Sequence, residues 1–378
     1  MEQNRKIRVA ITQGDTNGVG YELILKTFST PEMLELCTPI VYGSPKIATY
    51  HRKALNMEEG NFTIINNAAD AKEGRLNLMT CFDNEVKVEL GTPTKESVES
   101  GIRALSSALA DASKDVYDVL VLLPLQKDDA LRFPGQQTFV DKALGTQSQQ
   151  VVMNGCLRVA FMTSDIALKD VAARISQEGI KEQATRLFNT LRRDFRILNP
   201  RVAVLALNPT ADGQEEKDVI APAIAALEET PVKAFGPYAA EQFFGTAQFD
   251  AFDGILAMYH DQGILPLTSL LSSNDFPLIS LYSLYSLNSL NSLNSLNSLI
   301  VTSLEDNPLF EQAGKGVADE QPLRQAIYTA IDAWRNRHDY DEPYANPLPK
   351  LYHEKRDESE KVRFAIPKKH ENSIKERL

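Results

Sequence analysis

The residues of this chain whose types and spacing best suit chemistry lie in the segment AMYHDQG, Ala257 to Gly263. A short apolar run, residues 254–257, has the length and composition of a buried strand. His260 could act as a neutral metal ligand or a general base, and Asp261 could fix its tautomer or bind a metal itself. Because open α/β sheets place ligands at the carboxyl ends of strands, the segment predicts a functional site. A His-Asp pair that only satisfies loop amides is the simpler alternative.

Other polar residues also follow predicted strands. Lys127 comes after the aliphatic run 119–125, and Asp165 follows a predicted strand at 157–162. The glycine-rich loop 13–20 joins the first strand to a helix, so its backbone amides could approach an anion. Its spacing is not that of a dinucleotide-binding loop, and a tight strand-to-helix turn is the simpler interpretation.

The elements that must position these residues alternate along the chain. The hydrophobic pattern predicts strands at 7–12, 39–43, 119–125, 157–162, 202–207 and 254–257, and helices at 22–27, 44–54, 94–112, 167–175, 181–194, 219–228 and 321–337. This alternation is typical of a doubly wound α/β fold with a largely parallel sheet. The residues after 338 are dense in charge and predict a tail or a strap on a neighbouring subunit.

Residues 280–299 repeat Ser-Leu-Tyr and then Ser-Leu-Asn with a period of three. In a helix this period makes the leucines spiral around the axis, and in a strand it places them alternately on both faces. Neither element gains a single buried side, although a β-solenoid or a short 3₁₀ stretch is conceivable. We therefore interpret the tract as an expanded low-complexity segment that has replaced ordinary sequence.

The composition limits the class of protein. The chain has 378 residues, 43% of them hydrophobic and 24% charged, which is ordinary for a globular protein. A net charge of -11 argues against nucleic acid or an anionic membrane as partner. The three cysteines are far apart in sequence, so neither a disulfide framework nor a zinc ribbon is indicated. Without an apolar leader or a membrane span in the sequence, we expect a soluble cytoplasmic protein.

Several segments together resemble one family. In chain order they are ITQGDTNGVG (11–20), LPLQKD (123–128), FPGQQTF (133–139), RVAFMTSDIALKDVA (158–172), VLALNP (204–209), FGPYAAEQFFG (235–245), YHDQG (259–263) and AGKGVAD (313–319). They resemble the 4-hydroxythreonine-4-phosphate dehydrogenase family of the pyridoxal phosphate pathway across roughly residues 5–338.

The resemblance implies an architecture and partners. It implies a two-domain α/β fold like that of the isocitrate and isopropylmalate dehydrogenases, with the cleft between the domains. One domain would combine residues 1–127 and 264–338, the other would be 128–263, and 339–378 would be the tail. The resemblance also implies a homodimer, NAD, a divalent metal (Zn, Mg or Co) and a small phosphorylated substrate.

The metal ligands implied by the resemblance are three histidines, and only His260 matches. Asp165 and Thr210 stand where the family has the other two. Asp165 could bind a hard cation through oxygen, whereas Thr210 is a poor replacement for imidazole and Asp212 could substitute for it. The implied catalytic residues are Lys127, His260 and Asp261.

The substrate and cofactor positions implied by the resemblance are also altered. Gln136 and Gln137 replace a His-Thr pair of the family, and Thr268 replaces a lysine. Val301 replaces a phosphate-binding arginine. Asp306 and Asn307 stand at the cofactor positions. We expect Asp15, Lys127, Asp165 and His260 to line the cleft.

Three hypotheses follow from these replacements. The first is a family member with impaired or lost catalysis, a pseudoenzyme. The second is an active, metal-dependent NAD oxidoreductase with altered ligands. The third is a non-catalytic dimer partner of an active paralogue.

Overall fold

Twelve strands of the described residues form one mixed sheet with helices on both faces. The computed structural model describes residues 5–57, 61–82, 86–155, 157–270, 277–286, 299–304 and 307–345. The strands are β1 (Arg8–Thr12), β2 (Thr38–Gly43), β3 (Thr63–Ile65), β4 (Asn77–Thr80), β5 (Val119–Leu122), β6 (Thr146–Asn154), β7 (Leu157–Phe161), β8 (Arg201–Leu205), β9 (Lys233–Tyr238), β10 (Gly254–Ala257), β11 (Ile279–Ser286) and β12 (Ile300–Ser303).

The helices lie largely where the hydrophobic pattern predicts them. They are α1 (Gly20–Thr27), α2 (Pro31–Leu36), α3 (Pro45–Ala54), α4 (Lys95–Ala112), α5 (Gln136–Leu144), α6 (Val171–Arg174), α7 (Gln177–Arg193), α8 (Ala221–Leu227), α9 (Ala240–Gly245), α10 (His260–Leu270) and α11 (Gln321–Ala345). A π-helical stretch, Glu216–Ile220, leads into α8. The helix expected at 167–175 is shorter, because a 3₁₀ turn, Leu168–Asp170, precedes α6.

The strand order is β3-β4-β2-β1-β5-β12-β11-β6-β7-β10-β8-β9. β11 is antiparallel to both β12 and β6, and β6 is antiparallel to β7. The other neighbouring pairs are parallel. Because three antiparallel pairings separate β12 from β7, the parallel strands of the two halves run in opposite directions. The predicted largely parallel α/β sheet is confirmed.

The division into domains stays a prediction. The strands of residues 1–127, with β11 and β12, lie on one side of the pairing between β11 and β6, and the strands of 128–263 lie on the other. A continuous sheet nevertheless joins them, and the described residues up to Tyr340 form one compact unit.

The first part of the repeat forms β11, which corrects the interpretation that the repeat has no buried element. Leu281 and Leu284 are both fully buried, Leu281 in the core on one face of the sheet and Leu284 in the core on the other. A strand covered on both faces needs apolar side chains on both, and a period of three supplies them. Residues 287–298 of the repeat lie outside the described residues.

The last helix, α11, ends at Ala345, beyond the predicted end at Arg337 and inside the predicted tail. The Arg337 guanidinium binds the buried Asp194 carboxylate through Nε (2.8 Å) and Nη2 (2.6 Å). Two residues further along α11, Asp339 contacts Arg196 at 3.2 Å. These tertiary contacts support a helix that the charged sequence alone does not predict. The rest of the predicted tail, 346–378, is outside the described residues.

The two cysteines that the structure describes differ in burial. Cys37 is buried and Cys81 is partly buried, while Cys156 is outside the described residues. Burial raises the pKa of the Cys37 thiol to about 12, so this thiol is unreactive at neutral pH.

In the described part of the chain, no helix has the length and apolar character needed to cross a membrane.

Candidate functional site

His260 is the first residue of α10 and lies three residues after the end of β10, as the apolar run predicts. The turn between them is held by the side chain of Gln262. Its Oε1 accepts from the Met258 amide at 2.7 Å, and its Nε2 donates to the Ala206 carbonyl at 2.7 Å. One carboxamide thus joins the end of β10 to the end of β8, and this contact fixes where α10 starts.

Gly263 lets α10 lie directly against β7. A Cβ at this position would be 2.6 Å from Val159 Cγ1 and 2.7 Å from Phe161 Cε1, closer than real Cβ contacts. Gly263 is therefore needed for the close approach of α10 to β7. The contact brings the His260 ring to 5.6 Å from the Phe161 ring.

His260 and Asp261 form a hydrogen-bonded pair, with Nδ1 and Oδ1 3.0 Å apart. Their side chains are 52% and 78% exposed. This geometry orients the imidazole and leaves Nε2 available to a ligand. The geometry of the pair is compatible with a functional role, and also with the simpler alternative of a solvated His-Asp pair without a function.

Asp165 reaches the same region from the loop after β7. Met162 N donates to the Ala257 carbonyl at 2.8 Å, and the Thr163 hydroxyl donates to the Met258 carbonyl at 2.8 Å, so this loop is tied to the His260 turn. Asp165 and His260 line one cavity of about 120 Å³, which we call the polar cavity. Its other polar lining residues are Gln136, Gln137, Thr138, Gln150, Ser164 and Tyr282.

A second cavity of about 260 Å³, the central cavity, shares Gln150, His260 and Tyr282 with the polar cavity. One wall of this cavity, which we call its floor, is one face of β6, β11 and β12. The side chains share this face because cross-strand partners in antiparallel strands point to the same side. Gln150 Nε2 donates to Ser280 Oγ at 2.9 Å, and the hydroxyls of Tyr282 and Ser303 lie 3.1 Å apart. The floor is therefore a hydrogen-bonded layer of neutral groups.

A third cavity of about 220 Å³, the apolar cavity, shares Leu278 and Leu304 with the central cavity. It is lined mainly by aliphatic and proline side chains, together with Asn307 and Asp319. The Asn307 side chain accepts from the Leu309 amide at 3.1 Å. Asp306, the other predicted cofactor residue, lies outside the described residues.

The structure places several predicted site residues elsewhere. The Thr210 hydroxyl binds the Asp212 carboxylate, and both residues are exposed and line none of the three cavities. Lys127 is exposed and also lines none of them. The Thr268 hydroxyl donates to carbonyls of its own helix, those of Ile264 at 3.1 Å and Leu265 at 3.0 Å. The predicted set is thus only partly brought together.

Asp15 is buried within the glycine-rich loop and lines none of the three cavities, which corrects the expectation that it lines the cleft, although Val19 of the same loop lines the apolar cavity. The Asp15 carboxylate is 2% exposed and accepts from Asn17 N at 2.8 Å and Ser97 Oγ at 3.0 Å. Burial raises the pKa of this carboxyl group. A Cβ on Gly18 would lie 2.7 Å from the Pro308 carbonyl, so the loop is packed against protein. The simpler interpretation, a tight strand-to-helix turn, agrees with this geometry.

The residues present do not fit a metal held by three histidines. Within the described ranges, no group of three or more His, Cys, Asp and Glu side chains is arranged to hold a metal ion. Asp165 and His260 share the polar cavity, but Thr210 lies outside it. Two donors give an incomplete site for a tightly bound divalent cation.

In the part of the chain that the structure describes, the cavities also offer no Lys or Arg to a phosphate. No Lys or Arg is among their described lining residues, and the internal segments 271–276, 287–298 and 305–306 contain none in their sequence. Val301 pairs with Tyr282, so the two side chains lie on the same face of the sheet, the one that forms the floor of the central cavity. Val301 is fully buried there. Among the described lining residues, phosphate recognition would depend on the His260 imidazole and neutral donors.

Sequence reasoning missed the residues that form the cavity floor: Gln150, Ser280, Tyr282 and Ser303. β6 was not predicted, although residues 146–154 end in an apolar run. Nothing in the repeat marks Ser280 and Tyr282 as site residues. A larger cavity of about 660 Å³ lies beside Trp334, and no predicted site residue lines it.

The fold defines an α/β protein with a large, mostly parallel sheet and cavities beside the His260 turn, and sequence comparison specifies the family. The model of the family described as pyridoxal phosphate biosynthetic protein PdxA matches residues 35–330. The 4-hydroxythreonine-4-phosphate dehydrogenase of Bacteroides thetaiotaomicron is 43% identical over 375 residues, which cover 96% of this chain and 98% of that protein. That of Geobacter metallireducens is 32% identical and covers 88% of this chain and 97% of its own length. The chain belongs to the PdxA family, which confirms the resemblance.

Solved structures agree on the fold. A putative 4-hydroxythreonine-4-phosphate dehydrogenase from Salmonella typhimurium superposes with a TM-score of 0.71 at 22% identity, covering 87% of this chain and 100% of that one. The enzyme from Klebsiella pneumoniae gives 0.70 at 23% identity, with 87% and 99% covered. At this level of identity the likeness shows the fold alone.

Proposed function

We propose that this chain is a PdxA-family protein with impaired or lost NAD-dependent oxidation and decarboxylation of 4-phosphohydroxythreonine. The observation that carries the proposal is the lining of the cavities at His260. It offers one imidazole and one carboxylate, and none of its described residues is Lys or Arg.

The donor set of the polar cavity limits divalent-metal binding. A divalent metal in such a site would polarise the hydroxyl and later the ketone of the substrate. This chain brings only His260 and Asp165 to the polar cavity, and hydroxyl oxygens such as that of Ser164 are weak additional donors. We therefore expect weak divalent-metal binding.

The loss of two cationic residues limits phosphate binding. A hydrogen bond to a charged group contributes about 1.5–3 kcal/mol, so the replacement of an arginine and a lysine weakens binding by about two to four orders of magnitude. Val301 and Thr268 stand at those two positions. Thr268 directs its hydroxyl to its own helix, so it offers no compensating contact.

A second candidate function is an active oxidoreductase with altered ligands. The specific observation in its favour is that Asp165 and His260 do line one cavity. A carboxylate and an imidazole are both metal ligands, and Asp212 or water would have to complete the site. NAD and a phosphorylated substrate would remain its cofactor and substrate. The homodimer stays a prediction in either case.

The test is the initial rate of NADH formation from 4-phosphohydroxythreonine, with Zn²⁺, Mg²⁺ or Co²⁺ supplied separately. The Bacteroides thetaiotaomicron enzyme is the positive control under the same conditions. We expect no saturable rate from this chain. A rate within tenfold of the control would reject impairment and support the altered-ligand enzyme.

A complementary test uses growth of a pyridoxine auxotroph that lacks the family enzyme. Growth with the unaltered chain would contradict the proposal. A variant with Asp165→His and Thr210→His asks whether ligands alone restore function. Val301→Arg belongs in a separate variant, because Val301 is fully buried and the larger side chain threatens folding independently of chemistry.

A further inference from the structure

The central cavity shares lining residues with each of the other two cavities. The polar cavity shares Gln150, His260 and Tyr282 with the central cavity, which shares Leu278 and Leu304 with the apolar cavity. We infer that they form one groove for an amphipathic amine, with its protonated head at Asp165 and its apolar tail at Leu304 and Leu309. This inference goes beyond the proposed loss of dehydrogenase activity, because it assigns a ligand class to the altered site.

The polarity of the groove changes in one direction. At the Asp165 end, the lining is dominated by carboxamides, hydroxyls and one carboxylate. In the middle, the hydrogen-bonded floor meets Ile264 and Leu278. At the far end most lining residues are aliphatic or proline, among them Val19 and Leu23, and Asn307 and Asp319 are the polar ones. A ligand with one polar and one apolar end matches this gradient, since burial of apolar surface stabilises the tail.

The charge of the groove selects the sign of the head group. Asp165 and Asp319 are its described acidic lining residues, and no Lys or Arg lines it within the described ranges. A dianionic phosphate would meet the Asp165 carboxylate with neither Lys nor Arg among the described lining residues, whereas an ammonium group gains a charge-assisted hydrogen bond. The net charge of -11 acts in the same direction.

The experiment compares probes that share a tail. Octylamine, octanol and octyl phosphate are titrated below their aggregation limits into the full chain by calorimetry at 150 mM salt, which weakens non-specific attraction. We expect octylamine to bind at least tenfold more tightly than octyl phosphate, with octanol between them. Equal or tighter binding of octyl phosphate, or no binding of any probe, would overturn the inference.

Two variants locate the ends of the ligand. Asp165→Asn should weaken octylamine at least threefold and leave octanol unchanged, whereas Asp250→Asn, an equal charge change at an exposed position outside the groove, should change neither. Equal effects of these two variants would mean general attraction by an acidic protein and would overturn the head assignment.

Leu309→Asn tests the tail. Leu309 has a φ of 51°, a conformation that asparagine tolerates better than leucine, so the backbone should be kept. We expect octylamine and octanol to lose affinity by the same factor, while short ethylamine loses none. An unchanged affinity for octylamine would overturn the tail assignment, and an unchanged thermal midpoint shows that the variant is folded.

Discussion

Gln262 is the residue whose single side chain does most to place His260. Its carboxamide meets Met258 N and the Ala206 carbonyl, each at 2.7 Å. Gln262→Glu keeps the size but replaces the donor to Ala206 by an oxygen. We expect the free energy of unfolding to fall by about 1–3 kcal/mol, measured by urea denaturation, because a part-buried carbonyl loses its partner. Gln242→Glu, on the exposed side of α9, is the control and should change stability by less than about 0.5 kcal/mol.

His51 gives the folded state a dependence on pH. It is 1% exposed, and its Nε2 lies 2.8 Å from the Thr16 carbonyl, which it binds as a donor. Burial lowers the pKa of its imidazole, and nearby Glu22 only partly opposes this. Below the unfolded pKa of about 6.5, the unfolded chain therefore binds more protons than the folded one. The free energy of unfolding should decrease as the pH falls through this window.

The measurement for His51 is the difference in unfolding free energy between the wild type and His51→Gln, from pH 7.5 to 5.5. We expect the advantage of the wild type to shrink by up to about 1.4 kcal/mol per pH unit below 6.5. Burial raises the pKa of Asp15 and Asp141, which contributes with the opposite sign in both proteins and cancels in the difference. A difference that does not vary with pH would contradict the assignment.

At the scale of elements, β11 shows that a low-complexity sequence can supply a core strand. Leu284→Ala should destabilise the protein by about 2–5 kcal/mol, because it leaves a cavity in a core with 0% exposure at this residue. Leu198→Ala is the matched control at an 81% exposed position. Thermal or urea unfolding of both variants measures the difference. Similar losses in the two variants would show that β11 is not part of the stable core.

The elements also show how far sequence reasoning reaches. β10 was predicted because residues 254–257 form an apolar run that ends at polar residues, a pattern set by local burial. β11 was not, since a period of three has no single buried face and only the position between β12 and β6 makes it suitable. The candidate site divides in the same way: His260 and Asp165 follow strand ends, so the sequence alone marks them as candidates. Gln150 and Tyr282 reach the cavity only through antiparallel pairing between distant segments, which no local pattern encodes.

At the scale of the whole molecule, one buried ion pair joins α11 to the end of α7. Arg337→Met leaves the Asp194 carboxylate, whose side chain is 0% exposed, without its cation. We expect a loss of about 3–5 kcal/mol in unfolding free energy, and a partial recovery in the double variant with Asp194→Asn. Arg335→Met, at a 51% exposed side chain of the same helix, is the control. Equal effects of the two arginine substitutions would contradict a role for the buried pair.

The order of strands in the sheet constrains the order in which the chain can be assembled during synthesis. β12 lies between β5 and β11, and β11 pairs with β6, so Ser280 binds Gln150 across 130 residues of chain. Until the ribosome has released residues 279–303, β5 and β6 each present an edge without a neighbour. Such long-range pairing closes slowly, because loop entropy is lost before contacts compensate for it. The nascent protein therefore carries two unpaired strand edges until β11 and β12 have emerged, and β11 comes from the segment that contains the repeat.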